Sequence, residues 1–341
     1  MKAIQISHYT QDLDFQYTNI PKPQIKPNEI LIKGKYAGVD PHLILAMTGK
    51  VKLFDHYDFP LTLGNELAGV VAEVGAAVSD FQVGDKVYTM PPLNTMGAFA
   101  EYLAVEAQYV AKMPENLSFQ EAAAIPLSAL TIRQAFDILR PLPDKRLFIP
   151  GGTGGFGQIA VPYAKALGLR VTVSGGPVAR ATATYLGADQ FINYETTDYS
   201  DILQDYDYVI DTRGADEFKK ELAILYFGGH LLSLNAGPNA RFGQRHRASF
   251  SAGKRFIFRL AGSSFDRQAK KQGETYDFLY VAPSGQQLRE LTPYFEQSQI
   301  KPVIDTVYPF DQAKTAIDRV KVGHNQGKIL LDLEADLDTN S

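Results

Sequence analysis

Gly151-Gly152-Thr153-Gly154-Gly155-Phe156-Gly157 follows the apolar, strand-like run Arg146-Leu147-Phe148-Ile149-Pro150 and precedes a helix-like one from Ile159 to Gly168. Within it, Gly152, Gly154 and Gly157 satisfy the G-x-G-x-x-G spacing, which permits a tight turn, a close backbone approach to a pyrophosphate and close helix–strand packing. Glycine clusters alone are commonly flexible turns. The order strand, turn, helix is what makes this one a dinucleotide-binding turn, with phosphates on the amide hydrogens of a helix N-terminus.

The next strand, Leu169-Arg170-Val171-Thr172-Val173, ends in Ser174-Gly175-Gly176. About twenty residues past the central glycine, an NAD enzyme usually places an acid on the ribose 2′-hydroxyl. Ser174 is small and neutral, and Arg180 follows, so a 2′-phosphate is accepted rather than repelled. The expected cofactor is NADPH. Arg180 also reads as a solvated charge at the start of the next helix.

The chain has 341 residues, 45% hydrophobic and 21% charged, which suits two globular domains. Its formal net charge of −4 gives no general attraction to nucleic acid or an anionic membrane. No run of about eighteen apolar residues occurs, and Met1-Lys2-Ala3-Ile4-Gln5-Ile6-Ser7-His8 turns polar too early for a signal peptide, so a cytoplasmic protein is expected. With no cysteine, disulfides, thiolate nucleophiles and cysteine-ligated zinc or iron–sulfur sites are excluded.

Residues 1–120 read as short strands punctuated by Gly and Pro, including 29–33, 67–74, 85–88 and 99–105, which suggests a barrel-like β domain. Helical periodicity starts near Ser118 and resumes over Leu130 to Leu139. Strands and helices then alternate to about Val281, as in a doubly wound parallel sheet. A strand at 302–310, a helix at 313–320 and a strand at 328–333 are expected to return to the first domain. The division predicted is therefore 1–124 with 285–341, and 125–284. The tail, Asp336 to Ser341, reads as frayed. Pro162 lies beyond the first turn of the phosphate-binding helix, where a kink or local unwinding is expected.

Several pieces occur in one order: Ala37-Gly38-Val39-Asp40-Pro41, Leu63-Gly64-Asn65-Glu66-Leu67-Ala68-Gly69, Val83-Gly84-Asp85-Lys86-Val87, Gly97-Ala98-Phe99-Ala100-Glu101-Tyr102, Ala122-Ala123-Ala124-Ile125-Pro126-Leu127, the glycine turn, Leu186-Gly187-Ala188-Asp189 and Gly327-Lys328-Ile329. Together they resemble the medium-chain dehydrogenase/reductase superfamily, and within it the zinc-free quinone oxidoreductases. The resemblance implies an α/β protein with a GroES-like β-rich catalytic domain, a Rossmann domain and a cofactor in the cleft between them.

Zinc-dependent relatives carry Cys, His and Cys where this chain has Asp40, Asn65 and Leu127, so the resemblance implies a dismantled zinc site and no metal. Asp40, His42 and Glu66 read more readily as a hydrogen-bonded network than as ligands. Where related enzymes commonly have Asn-Pro-x-Asp, this chain has Asp40-Pro41-His42-Leu43. Asp40 and Tyr57 are the candidate catalytic residues, although a loop tyrosine such as Tyr57 is more often a packing residue. For the cofactor, the resemblance assigns Thr131 to the nicotinamide side and the turn Thr153, Gly154, Gly155, Phe156 and Gly157 to the pyrophosphate. Ser174, Arg180 and Tyr194 fall to the 2′-phosphate, Asn235 to the nicotinamide border, and Lys328 to the cofactor from the last strand. Asn235 reads equally as a turn residue, and Lys328 as a solvent-facing charge.

Without zinc to polarise a carbonyl, the acceptors that need least help are quinones and α,β-unsaturated carbonyls, which delocalise incoming negative charge. The expected activity is therefore NADPH-dependent reduction of a small quinone or enone. The alternatives are a zinc-type alcohol dehydrogenase relative that has lost its metal, and a non-catalytic NADPH-binding protein.

Two further segments stand out. Residues 241–259 concentrate arginine and aromatics, and are expected to form a connecting helix that buries Phe256, Ile257 and Leu260; contact with an anionic membrane is the less favoured reading. The aromatic strand 276–281 is expected at a sheet edge, where it would pair with its twofold mate in a homodimer.

Overall fold

The computed structural model describes residues 1–298, 301–323 and 325–335. The tail from Asp336 lies outside them. The chain forms two compact units, residues 1–130 with 282–341, and residues 131–281.

In the second unit, six strands form one parallel sheet: β1 (Arg146–Ile149), β2 (Arg170–Gly175), β3 (Gln190–Asn193), β4 (Tyr206–Asp211), β5 (Leu225–Ser233) and β6 (Thr275–Phe278). Their order across the sheet is β3-β2-β1-β4-β5-β6. The direction of winding therefore reverses beside β1, and an open α/β sheet binds ligands outside the carboxyl ends of its strands at such a reversal. Leu147, Phe148, Ile149, Val171 and Val173 are fully buried, as strands covered by helices on both faces require. The helices of this unit are α1 (Gly157–Ala166), α2 (Arg180–Tyr185), α3 (Phe218–Ala223), α4 (Ala240–Arg245), α5 (Ala252–Ala261) and α6 (Ser263–Gln272).

Helix α1 runs unbroken through Pro162, which is buried. The local unwinding expected there does not occur. Only one helical hydrogen bond is removed, and the surrounding packing holds the helix together.

The first unit contains a seven-stranded sheet whose centre is the long strand Glu29–Val39. It pairs antiparallel with Leu67–Val74, Tyr102–Glu106 and the late strand Lys328–Asp332. A three-stranded sheet joins Gln16–Asn19, Lys2–Ile6 and Leu61–Thr62. Helix Phe119–Ala123 starts at a capping box, in which Glu121 N donates to the Ser118 hydroxyl and Ser118 N donates to the Glu121 carboxylate.

Candidate active site

The glycine turn is fixed at the carboxyl end of β1. Gly152 N donates to Ile149 O at 3.1 Å, and Gly154 N to Gly151 O at 3.1 Å. A side-chain carbon at Gly157 would stand 1.9 Å from Gly152 O, and one at Gly152 would stand 2.6 Å from the Val173 side chain and 2.8 Å from Ile149 O. Both positions are glycine because the protein's own packing excludes anything larger. Gly154 differs, since the nearest atom to its added carbon would be Gly151 O at 3.5 Å, an ordinary contact. The fold itself does not demand glycine there.

Helix α1 begins at Gly157 behind Phe156 without a side-chain cap, which leaves its positive end suited to an anion. Gln158 ties the turn from within, its Nε2 donating to Thr153 O at 3.1 Å. Thr153 is buried, and its hydroxyl oxygen would lie 2.8 Å from a carbon added to Gly175, so the turn packs on the end of β2. Ser174 is also buried and accepts from Gly151 N at 3.2 Å. Its hydroxyl thus braces the turn, a contact not legible in the sequence.

Parallel pairing sets Gly175 opposite Asn193, which brings Gly176 beside Tyr194. The Tyr194 hydroxyl is 3.3 Å from a carbon added to Gly176, and the ring is half exposed. Arg180, the first residue of α2, is exposed and lays its guanidinium over the Phe191 ring of β3, 4.9 Å from the centroid. Arg180, Tyr194 and Gly176 therefore gather at the carboxyl ends of β2 and β3. The same corner holds an acid that the sequence reading overlooked: Glu195 Oε1 is 3.8 Å from the Gly176 carbon position. It is exposed and comes from the strand beyond, outside the spacing at which an acid is sought.

Asp211, fully buried at the end of β4, accepts from Arg213 N at 2.6 Å, from Gly214 N at 2.7 Å and from the Ser233 hydroxyl. Ser233 Oγ in turn accepts from Asn235 N at 3.1 Å and Ala236 N at 2.7 Å. Asn235 Nδ2 donates to Thr212 O at 2.7 Å, and the Thr212 hydroxyl to Pro150 O at 2.6 Å. Loops after β1, β4 and β5 are thereby joined at the ligand-binding end of the sheet. Sequence reasoning missed Asp211 and Ser233; the signal was a polar residue ending each of two apolar strands. Thr131 is buried on the helix Pro126–Leu139.

The first unit holds a second polar group. Asp40 caps the helix Pro41–Met47, accepting from His42 N at 2.9 Å, and is nearly fully buried. Asn65 Nδ2 donates to Asp40 Oδ1 at 3.1 Å and lies 3.3 Å from His42 Nδ1. Burial, opposed by the charge of Asp40, holds the His42 pKa below the ordinary histidine value. Asn65 Oδ1 is buried without a hydrogen-bond partner. Tyr57 is buried at 3% exposure, edge-on to Tyr9, and its hydroxyl makes no hydrogen bond of normal geometry. Burial, with the charge of Asp55, raises its pKa well above that of a free tyrosine.

Lys328 does not face solvent. It is buried and donates to Glu66 Oε1, while Glu66 Oε2 accepts from Leu127 N at 2.7 Å. Burial pulls the Lys328 pKa down, but the charges of Glu66 and Asp40 outweigh it and hold it above the ordinary lysine value. Among the described residues, no three His, Cys, Asp or Glu side chains converge as a metal-binding group.

Comparison with known proteins agrees with this architecture. Residues 26–115 match the alcohol dehydrogenase GroES-like domain, and residues 186–331 match a family described as zinc-binding dehydrogenase. The chain is 30% identical to the 2-methylene-furan-3-one reductase of Solanum lycopersicum, over 97% of this chain and 79% of that protein. It is 28% identical to the chloroplastic NADPH-dependent alkenal/one oxidoreductase of Arabidopsis thaliana, over 92% of this chain and 74% of that one. The quinone oxidoreductase of Coxiella burnetii superposes with a TM-score of 0.80 at 25% identity, covering 97% of this chain and 99% of its own. The chain belongs to the medium-chain dehydrogenase/reductase superfamily, in the branch of the quinone oxidoreductases.

Proposed function

We propose that this protein is a zinc-independent, NADPH-dependent oxidoreductase that reduces quinones or α,β-unsaturated carbonyls. The observation that carries the reading is Gly154, a glycine the fold leaves room to replace, at the carboxyl end of β1 where the sheet reverses. The alkenal/one and quinone oxidoreductases among its relatives support the same substrate classes.

The cradle suits NADPH. Thr153, Gly154, Gly155, Phe156 and Gly157 would hold the pyrophosphate, and Arg180 and Tyr194 the 2′-phosphate. Ser174 would act through the turn it braces. Thr131 and Asn235 would border the nicotinamide, with Asn235 held in place by Thr212. Lys328 would contribute by holding the Glu66 carboxyl group in place. NADPH, when bound, supplies a hydride to the acceptor carbon.

The chain's own part is to orient the acceptor, exclude water and offer a proton donor to the oxygen where negative charge develops. Tyr57 is proposed for that last task because its buried hydroxyl makes no hydrogen bond of normal geometry and stays protonated. Asp40, held by Asn65 and by the backbone of His42, would shape the polar wall. Where zinc-dependent relatives present two thiolates and an imidazole, this chain presents the Asp40 carboxylate, the Asn65 amide and the hydrocarbon side chain of Leu127, a set without the sulfur and nitrogen donors that zinc favours.

The test is NADPH consumption against a panel of quinones, 2-alkenals and alkenones, with and without a chelator. Turnover of saturated alcohols with quinones and enones inert, or stoichiometric zinc by elemental analysis with activity lost on chelation, would overturn the reading.

We further propose a cytoplasmic homodimer. The support for pairing is that β6 lies at the sheet edge. Light scattering at micromolar concentration tests it, a monomeric mass being the adverse result. No helix among the described residues is long and apolar enough to cross a membrane; cell fractionation tests the location.

A further inference from the structure

From Leu222 to Phe265 the chain contains no Asp or Glu and six Lys or Arg, in a protein whose formal net charge is −4. Two of the six are already engaged. Arg241 and Arg245 donate to the buried Asp277, which also meets His230. Among the described residues, no carboxylate pairs with Arg247, Lys254, Arg255 or Arg259.

These four belong to or adjoin α5, and the helix is turned opposite to the sequence expectation. Phe258 is its fully buried anchor, against Phe242 and Phe250. Phe256, Ile257 and Leu260 are not buried but 59%, 48% and 58% exposed. The reversal follows from the rings of Phe242 and Phe250, which form a socket on one side of the helix. At positions 256, 257 and 260 the three apolar side chains share one stripe of the helix surface. Beside that stripe, Ala240, Gly243, Gln244, Arg247, Arg255, Phe256 and Arg259 line an open groove of about 350 Å³.

We infer that α5 and its groove form a surface for peripheral docking on an anionic membrane. An apolar stripe flanked by cations that no carboxylate neutralises, with Arg255 held by Arg247 O and Phe250 O and Lys254 over the Phe250 ring, matches the two layers of such a surface. Phe256, Ile257 and Leu260 would enter the acyl boundary, and Arg247, Lys254, Arg255 and Arg259 would meet lipid phosphates. A merely solvated basic face would not need three large apolar side chains among its cations. The acid-free span confines attraction to this face although the chain as a whole is acidic.

The test is flotation of the full chain with vesicles of phosphatidylcholine containing about 30% phosphatidylglycerol, against pure phosphatidylcholine. Binding is expected to the former only, and to fall with added salt. Arg247→Gln with Arg259→Gln should weaken partition about 25-fold, at about fivefold per charge. Phe256→Ser with Ile257→Ser should abolish binding while leaving NADPH turnover of a soluble quinone intact. The proposal fails if the protein stays with the soluble fraction on both vesicles, or if it binds inorganic phosphate in the groove without floating. It fails equally if the Phe256→Ser, Ile257→Ser protein loses self-association instead, which would make the stripe a contact with a second copy.

Discussion

Lys328 and Glu66 form a buried ion pair 262 residues apart in sequence, and the backbone amide of Leu127 satisfies the second oxygen of the carboxylate. Breaking such a pair leaves an uncompensated interior charge, which costs about 3–5 kcal/mol. Lys328→Met should therefore be strongly destabilised in urea melts. Lys328→Met combined with Glu66→Gln should regain most of the loss, because glutamine still accepts from Leu127 N and carries no charge. A double variant as unstable as the single one would show that packing, not charge, sets the cost.

Gly154→Ala and Gly157→Ala should separate binding from folding. At Gly157 the new carbon meets Gly152 O at 1.9 Å, so the turn must open and stability must fall. At Gly154 it meets nothing nearer than 3.5 Å, so the melting temperature should stay within a degree or two of wild type. NADPH affinity of Gly154→Ala should still drop by about tenfold or more, since the methyl would stand where the pyrophosphate is proposed to approach. Unchanged affinity would remove the cofactor from this turn.

The proposed cofactor choice would rest on two opposing groups at one corner. Arg180→Ala should cost NADPH about 1.5–3 kcal/mol of binding with little effect on NADH, as for a charge-assisted hydrogen bond. Glu195→Gln should move selectivity the other way, favouring NADPH, because its carboxylate stands close to the proposed 2′-phosphate position. Paired Kd measurements for both cofactors check this, and a wild-type preference for NADH would refute the assignment.

Glu221 gives a pH signature. Its carboxyl group is buried, and burial, reinforced by the charge of Asp211 and by a hydrogen bond to it that favours the protonated form, pushes its pKa from 4.5 up to about 10. The folded state then keeps a proton that the unfolded chain releases above about pH 4.5. Stability from this group is full below that pH and is lost as pH rises towards about 10, by at most about 1.4 kcal/mol per unit. Glu221→Gln should flatten the fall between pH 5 and about 9, as read from denaturant midpoints; an unchanged slope would count against a protonated Glu221.

The glycine turn and the strands beside it were legible because their chemistry is local: three glycines at fixed spacing between an apolar run and a helix. Leu67–Val74 was read with its observed bounds for the same reason. What stayed hidden depends on partners distant in sequence. Nothing near Lys328 announces Glu66, nothing near Ser174 announces the Gly151 amide, and Glu195 enters its corner only through the parallel register of β2 with β3. Helix α5 misled for a related reason. Phe256, Ile257, Phe258 and Leu260 supply apolar residues to more than one side of a helix, and only the socket of Phe242 and Phe250 decides which is buried.

The antiparallel pairing of Lys328–Asp332 with Glu29–Val39 has a temporal side. Residues 131–281 are contiguous and can close their parallel sheet as soon as they leave the ribosome. The earlier-made strand Glu29–Val39 must wait until almost the whole chain has been synthesised before one of its neighbours exists. The half made first is the half completed last, and during that interval one edge of its central strand stays without a partner.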